Sequence, residues 1–261
     1  MNILQRRIIL SFLHITTFVK SSSKTQHVTF QFHPHLGSTR PITVLHLAKK
    51  RTKKSRQQTK IPLESSPIFL EDPKKVPTTL PKLLVFDLDN TLWTPELYQI
   101  RTNKNVTPQI GKEIRLFPGA QSIVADFVSN PSVWQNTQFA IASRTDRIDW
   151  AEELLHKFEA VPDVSLSHIF RVRQIFPGSK RKHFEELQNK LNIPYNEMIF
   201  FDDDAHLNLR EIETMGVLCS HCPKGINVDL FRRTLWQYSD MKKNKKAWMG
   251  ITVNARSLPK R

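Results

Sequence analysis

Residues 84–93 read Leu84-Val85-Phe86-Asp87-Leu88-Asp89-Asn90-Thr91-Leu92-Trp93. A short apolar run of buried character delivers two carboxylates two residues apart, then a hydroxyl two residues further on. In an extended backbone, residues i and i+2 point the same way, so Asp87 and Asp89 share one side at a strand end. Burying two uncompensated carboxylates is costly, and such a pair usually has a cation or a proton to share. An isolated Asp-x-Asp would read as a polar turn whose acids cap backbone groups. Matching chemistry farther along the chain decides against that reading.

Outward from this stretch, strand-like apolar runs alternate with helix-like segments. Leu83–Phe86 is the first strand, and Pro118–Val128 reads as a helix with Pro118 in its first turn. Gln138–Ala142 is a second strand, followed by a helix over Asp146–Phe158 with Ile148, Ala151, Leu155 and Phe158 at helical spacing. Ile169–Ile175 is expected as a third strand and Lys180–Leu191 as a helix burying Phe184, Leu187 and Leu191. Met198–Phe201 is a fourth strand, Ala205–Met215 a helix closed by Gly216, and Val217–Ser220 a fifth strand. Asn227 is a candidate N-cap for a last helix burying Leu230, Leu235 and Tyr238. The alternation predicts an α/β fold, a mainly parallel sheet between two helical layers.

In such sheets ligands bind outside the carboxyl ends of the strands. The polar residues placed just after each strand should therefore form one site. After the first strand come Asp87, Asp89 and Thr91. After the second comes Ser143-Arg144-Thr145, ahead of a helix, where a hydroxyl and free N–H groups make an anion cradle or a simple N-cap. After the third comes Pro177-Gly178-Ser179-Lys180, whose lysine near a phosphate would neutralise developing charge. After the fourth comes Asp202-Asp203-Asp204, three acids that repel one another unless a hard cation is near.

Asp87-x-Asp89-x-Thr91, Ser143, Lys180 and Asp202-Asp203 resemble, in order, the four motifs of the haloacid dehalogenase superfamily, in its phosphatase branch. The resemblance is closer to the magnesium-dependent phosphatase-1 family. It is carried by Leu80-Pro81-Lys82-Leu83, Phe86-Asp87-Leu88-Asp89, Thr91-Leu92-Trp93, Ala142-Ser143-Arg144-Thr145, Pro177-Gly178-Ser179-Lys180, His183-Phe184 and Ile199-Phe200-Phe201-Asp202-Asp203. It covers about residues 80–240. Asn90 stands where the family usually has an aromatic residue, and Asp204 replaces the usual Glu.

The resemblance implies a Rossmann-like three-layer sandwich, capless or with a minimal cap. It also implies a Mg2+-dependent hydrolase of phosphate monoesters working through an aspartyl-phosphate. Asp87 would be the nucleophile and Asp89 the general acid and base. Ser143, Arg144 and Lys180 would hold the phosphoryl group. Mg2+ would be bound by Asp87, the backbone carbonyl of Asp89 and Asp203, with Thr91 and Asp202 in support. The family is credited with protein phosphotyrosine and phosphorylated sugar-amines as substrates. Only about twenty residues, 95–116, precede the first helix, too few for a folded cap domain. An open site is expected, with a phosphorylated small molecule or protein as its partner.

Net charge is +15, but it is unevenly placed. Residues 1–80 carry +11 and 241–261 carry +7, while 81–240 carry −3. A basic groove of the kind nucleic-acid binders build into a fold is not expected, so no specific nucleic-acid partner is assigned. The first acidic residue is Glu64. The preceding 1–63, with an apolar run Ile8–Val19 and a basic, hydroxyl-rich remainder, reads as a transit presequence or a disordered extension. A mitochondrion or plastid is the expected destination, with the cytoplasm as the alternative. The apolar run is too short to span a bilayer, and no other stretch looks transmembrane. Residues 64–80 read as a Pro-rich linker, 81–240 as the phosphatase domain and 241–261 as a basic tail. Cys219 and Cys222 invite a zinc reading, but four ligands are needed and no second pair exists, so both are expected as small buried residues. A monomer is expected. Two rivals stand beside this reading: a phosphatase of another branch acting on nucleic-acid or protein-tail phosphates, and a catalytically inactive binding module.

Overall fold

The computed structural model describes residues 76–101, 106–245 and 252–253, and for 20–22 and 25–27 the backbone alone. The chain divides into two compact units, 1–56 and 57–261. In the first, Lys20–Ser22 pairs antiparallel with Thr25–His27. The rest of the expected presequence, most of the Pro-rich linker and most of the basic tail lie outside the described residues.

The second unit is built on strand β1 (Leu83–Phe86), which is buried along its whole length. Its side chains alternate between two cores, Leu84 and Phe86 on one face, Leu83 and Val85 on the other. The neighbours follow the same alternation: β2 (Gln138–Ser143), β3 (Val172–Ile175), β4 (Met198–Asp202), β5 (Leu218–His221) and β6 (Thr252–Val253). The strand order is β3-β2-β1-β4-β5-β6, parallel throughout. This is the doubly wound order in which the chain reverses direction of travel between β1 and β4, and that reversal opens a crevice at their carboxyl ends.

Helices α1 (Pro118–Ser129), α2 (Ile148–Lys157) and α4 (Val228–Lys243) cover one face. Helix α3 (Lys180–Leu191) and residues 205–215 cover the other. Local chemistry sets these boundaries. Pro118 occupies the first turn of α1, where its missing N–H is no loss. Asn227 caps α4 by accepting from the Leu230 N–H at 2.9 Å. Gly119 allows α1 to lie close to the chain ahead of α4, since a Cβ there would sit 2.3 Å from the Ile226 carbonyl oxygen. The larger core is aromatic at its centre, with Phe86 5.1 Å from Phe201, 5.3 Å from Phe139 and 5.7 Å from Phe170, centroid to centroid.

Four expectations need correcting. Leu166–Ile169 is a short helical turn, and pairing with β2 begins only at Val172. A short apolar run does not distinguish a strand from a buried helical turn, which is why 169–175 read as one strand. Ile148 is 38% exposed, because the larger Trp150 takes the inward place on α2 with Ala151, Leu154 and Leu155. Residues 205–215 do not form one α-helix: a π-helical turn over Ala205–Leu209 precedes a short α-helix, Arg210–Glu213. The basic tail contributes β6, a sixth strand on the edge of the sheet, and α4 runs on to Lys243. Residues 95–116 are closed at their base by an antiparallel pair, Trp93–Thr94 with Arg115–Leu116.

Cys219 and Cys222 are free and buried, one in each core. Among the described residues, no helix is long and apolar enough to cross a membrane.

Candidate active site

The carboxyl ends of β1 and β4 deliver Asp87 and Asp202 side by side, and the first residue of α3 delivers a lysine between them. Asp87 continues the strand ladder, its N–H donating to the Phe201 carbonyl at 2.9 Å. Lys180 is fully buried. Its Nζ donates to Asp87 Oδ1 at 2.6 Å and to the Ala142 carbonyl at 2.5 Å, and lies 3.1 Å from Asp202 Oδ2. The start of α3 is itself held. Glu211 accepts from the Lys180 N–H at 3.0 Å and from the Ser179 hydroxyl, while Ser179 Oγ accepts from Arg181 N–H.

Four carboxylates gather here around one buried lysine. Burial pushes the Asp87 carboxyl well above its ordinary value, against the pull of Lys180. Burial opposes the charge on Lys180, but Asp87 and Asp202 outweigh it and raise its pKa, so the ammonium is kept. Asp203 is pushed up to about 7, by burial first and by Asp202 second. Asp89 is pushed up to about 6 by burial, although three donors pull the other way. The Trp93 indole N–H donates to Asp89 Oδ1 at 2.7 Å, and the Leu97 N–H and the Thr145 hydroxyl also reach this carboxylate. A carboxyl near 6 is suited to giving and taking protons close to neutral pH.

Ser143 is the buried last residue of β2. It is not an N-cap: α2 begins five residues later, and Ser143 Oγ accepts from the Thr145 N–H at 3.4 Å. Arg144 donates from Nη1 to Asn208 Oδ1 at 3.0 Å. Asn208 Nδ2 in turn donates to both oxygens of Asp202, at 3.1 Å each. Thr91 is buried with its hydroxyl unpartnered. Its backbone ties down the loop instead, the carbonyl accepting from the Ile226 N–H at 3.0 Å. Asp87, Asp202 and Lys180 thus meet directly, Asp89 and Asp203 are coupled to this group through charge, and Arg144 joins through Asn208.

Five residues not singled out as site residues in the sequence support this arrangement: Trp93, Thr145, Asn208, Glu211 and His183. His183 Nε2 lies 3.0 Å from the Ser143 and Phe176 carbonyls, and Nδ1 lies 2.9 Å from that of Ser179. Its ring stacks on Phe176 at 4.0 Å, and burial holds its pKa below the ordinary value. The His183-Phe184 string and Trp93 were legible as part of the resemblance, but no spacing rule assigned them a task.

With this geometry in place, residues 79–241 match the family model described as Acid Phosphatase. The chain belongs to this family. Human magnesium-dependent phosphatase 1 is 36% identical over 164 residues, 60% of this chain and 86% of that protein. A HAD-like hydrolase superfamily protein of Schizosaccharomyces pombe is 33% identical over 149 residues, 52% of this chain and 83% of its own. A haloacid dehalogenase-like hydrolase from Xanthomonas campestris superposes on 62% of this chain and 99% of its own, at TM-score 0.42 and 9% identity, too distant to argue from. As a member of the acid phosphatase family, the chain is a phosphoric monoester hydrolase of the haloacid dehalogenase superfamily.

Among the described residues, no group of three or more His, Cys, Asp or Glu side chains is arranged to hold a metal ion. The donors that the resemblance implies for a hard cation are fewer: the carboxylates of Asp87 and Asp203 and the carbonyl of Asp89. They fit one on charge grounds. Burial raises the Asp87 carboxyl even with Lys180 beside it, and a second positive charge there would pull it down.

Proposed function

We propose that this chain is a Mg2+-dependent phosphatase that cleaves phosphate monoesters by way of a phosphorylated Asp87. The observation that carries the reading is the buried Lys180, bonded to Asp87 and Asp202 beside an Asp89 whose carboxylate is fixed by Trp93. Asp87 attacks phosphorus, forming an Oδ–P bond as the bond from phosphorus to the ester oxygen breaks. Asp89 gives its proton to that departing oxygen. A water then attacks the phosphorus of the aspartyl-phosphate, Asp89 takes its proton, and the Oδ–P bond breaks to release phosphate and restore Asp87. Lys180, Ser143 and Arg144 hold the phosphoryl oxygens as charge develops on them.

Mg2+ on Asp87, the Asp89 carbonyl and Asp203 would supply positive charge and a template between an anionic nucleophile and an anionic substrate. For the substrate, the segment between Trp93–Thr94 and Arg115–Leu116 is too short for a cap domain, which favours bulky phosphorylated groups. Protein phosphotyrosine and phosphorylated sugar-amines are the classes carried over from the family resemblance.

The test is hydrolysis of an aryl phosphate by the full-length chain with Mg2+, with EDTA, and as Asp87→Asn. Turnover is expected only in the first case, and acid quenching during turnover should trap phosphorus on the protein. Activity that survives EDTA or Asp87→Asn would overturn the mechanism.

We also infer that residues 1–63 address the chain to a mitochondrion or plastid, on the strength of their basic, acid-free composition. A full-length fluorescent fusion that remains diffuse in the cytosol would remove this part of the reading.

A further inference from the structure

Asn208 is engaged at both ends of its carboxamide, and both partners belong to the site. Its Nδ2 lies 3.1 Å from each oxygen of Asp202, and its Oδ1 accepts from Arg144 Nη1 at 3.0 Å. The opposite amide orientation would set an oxygen against two carboxylate oxygens and an NH2 against a guanidinium, so chemistry fixes the one observed. Asp202 is bonded in turn to Lys180, and Lys180 to Asp87. A single chain of polar contacts therefore runs from the nucleophile to Arg144.

The backbone is shaped for this contact. Asn208 projects from the π-helical turn Ala205–Leu209, where the Leu209 N–H donates to the Asp204 carbonyl at 3.0 Å, five residues back. The Asp204 carboxylate holds the start of the turn by accepting from the His206 and Leu207 N–H groups. The wider turn leaves Leu207 54% exposed and carries Asn208 inward to 8%. Single π turns of this kind cluster at functional sites.

We propose that Asn208 is a positioning residue that holds the Arg144 guanidinium ready for the phosphoryl oxygens. An arginine side chain free in solvent loses rotamer freedom when it grips an anion, and here one N–H is already committed to Asn208. Arginine has five N–H donors in a planar fork, so the rest stay available for paired bonds to phosphate. The proposal rests on the phosphatase reading, in which Arg144 meets substrate, and it adds a residue that meets substrate only through Arg144.

The test uses the full chain with Mg2+ and two readouts, turnover of an aryl phosphate and calorimetric binding of inorganic phosphate. Asn208→Ala should raise KM and the phosphate Kd together by about tenfold, with kcat changed by less than about threefold. In an Arg144→Ala background, Asn208→Ala should add nothing further. A structural role alone would lower the melting temperature and leave KM and Kd unmoved, and a role not exercised through Arg144 would add its loss in the Arg144→Ala background; either result overturns the proposal. If Asn208→Ala does not fold, the isosteric Asn208→Asp serves. It abuts Asp202 without a proton to donate and should weaken phosphate binding by more than about tenfold; unchanged binding overturns the proposal. A wild type that binds phosphate but turns nothing over would sink the phosphatase reading alone, and Asn208 would still be judged on Kd. A wild type that binds no phosphate overturns both.

Discussion

Strand β4 carries an ion pair at each of its ends, and the two are built on opposite principles. Just before the strand, Glu197 meets Lys242 at 2.7 Å and accepts from the Tyr238 hydroxyl at 3.0 Å. Charges match there, and these partners outweigh partial burial and hold Glu197 below its ordinary value. At the other end, Asp202 shares a fully buried Lys180 with Asp87, and the neighbouring carboxyls of Asp87, Asp89 and Asp203 are all raised. Negative charge is in excess. One end is an interaction that favours folding; the other holds carboxyls raised by burial first and by neighbouring acids second, a strain that a cation can relieve. Removing a carboxylate should therefore act with opposite sign at the two ends.

The largest effect is expected from Asp87→Asn, which should lower turnover by about 10⁴-fold or more. It should also make the Mg2+-free protein more stable, because one excess carboxylate goes while Lys180 keeps Asp202. A thermal melt beside the assay checks this, and a dead but destabilised variant would break the comparison. Next comes Lys180→Met, which removes the ammonium that Asp87 and Asp202 share and leaves two buried carboxyls facing each other. Unpairing a buried charge costs about 3–5 kcal/mol. Denaturant unfolding at neutral pH should read a loss of that size, shrinking on acidification as the carboxylates take up protons.

How this contrast could be read beforehand differs between its two ends. Asp87, Asp89 and Asp202 were legible because they follow apolar runs, and Lys180 because it opens the helix after a strand-end loop; strand ends in a parallel sheet converge. Hydrophobic runs likewise gave β1 and α3 with their observed limits. What escaped were contacts that depend on turn geometry. Asn208 would read as one polar residue on an ordinary helix, and only the π turn carries it inward to Arg144 and Asp202. Glu197 and Lys242 lie 45 residues apart with no pattern linking them. The strand β6 was hidden because Thr252–Val253 is two residues in a basic tail, and its partner β5 rather than its own propensity makes it a strand.

Titration should separate the ends further. Without divalent cation, Asp89 and Asp203 hold protons to about 6 and about 7, whereas the unfolded chain releases them near 3.8. The folded state thus binds more protons across that window, and its stability falls as pH rises through it. The melting temperature of the Mg2+-free chain should drop between about pH 4 and about pH 7, and saturating Mg2+ should flatten the drop. A Mg2+-free protein whose stability climbs steadily over this range would contradict the charge excess.

The smallest effect belongs to Glu197→Gln. The pair with Lys242 is partly exposed, so its loss should cost about 1 kcal/mol or less and move the melting temperature by a few degrees at most. Turnover should not change, since Glu197 lies just before the amino end of β4, opposite the end that carries Asp202. Its pH signature has the reverse sign to that of the site. A carboxyl lowered from its usual 4.5 stabilises the fold above that value and loses its contribution as pH falls through the folded pKa. Wild type should therefore lose stability faster than Glu197→Gln on acidification below about pH 4.5, and the two curves should converge at the acid end. Glu197→Gln that impaired turnover, or matched the loss from Lys180→Met, would show that the two ends of β4 act as one network.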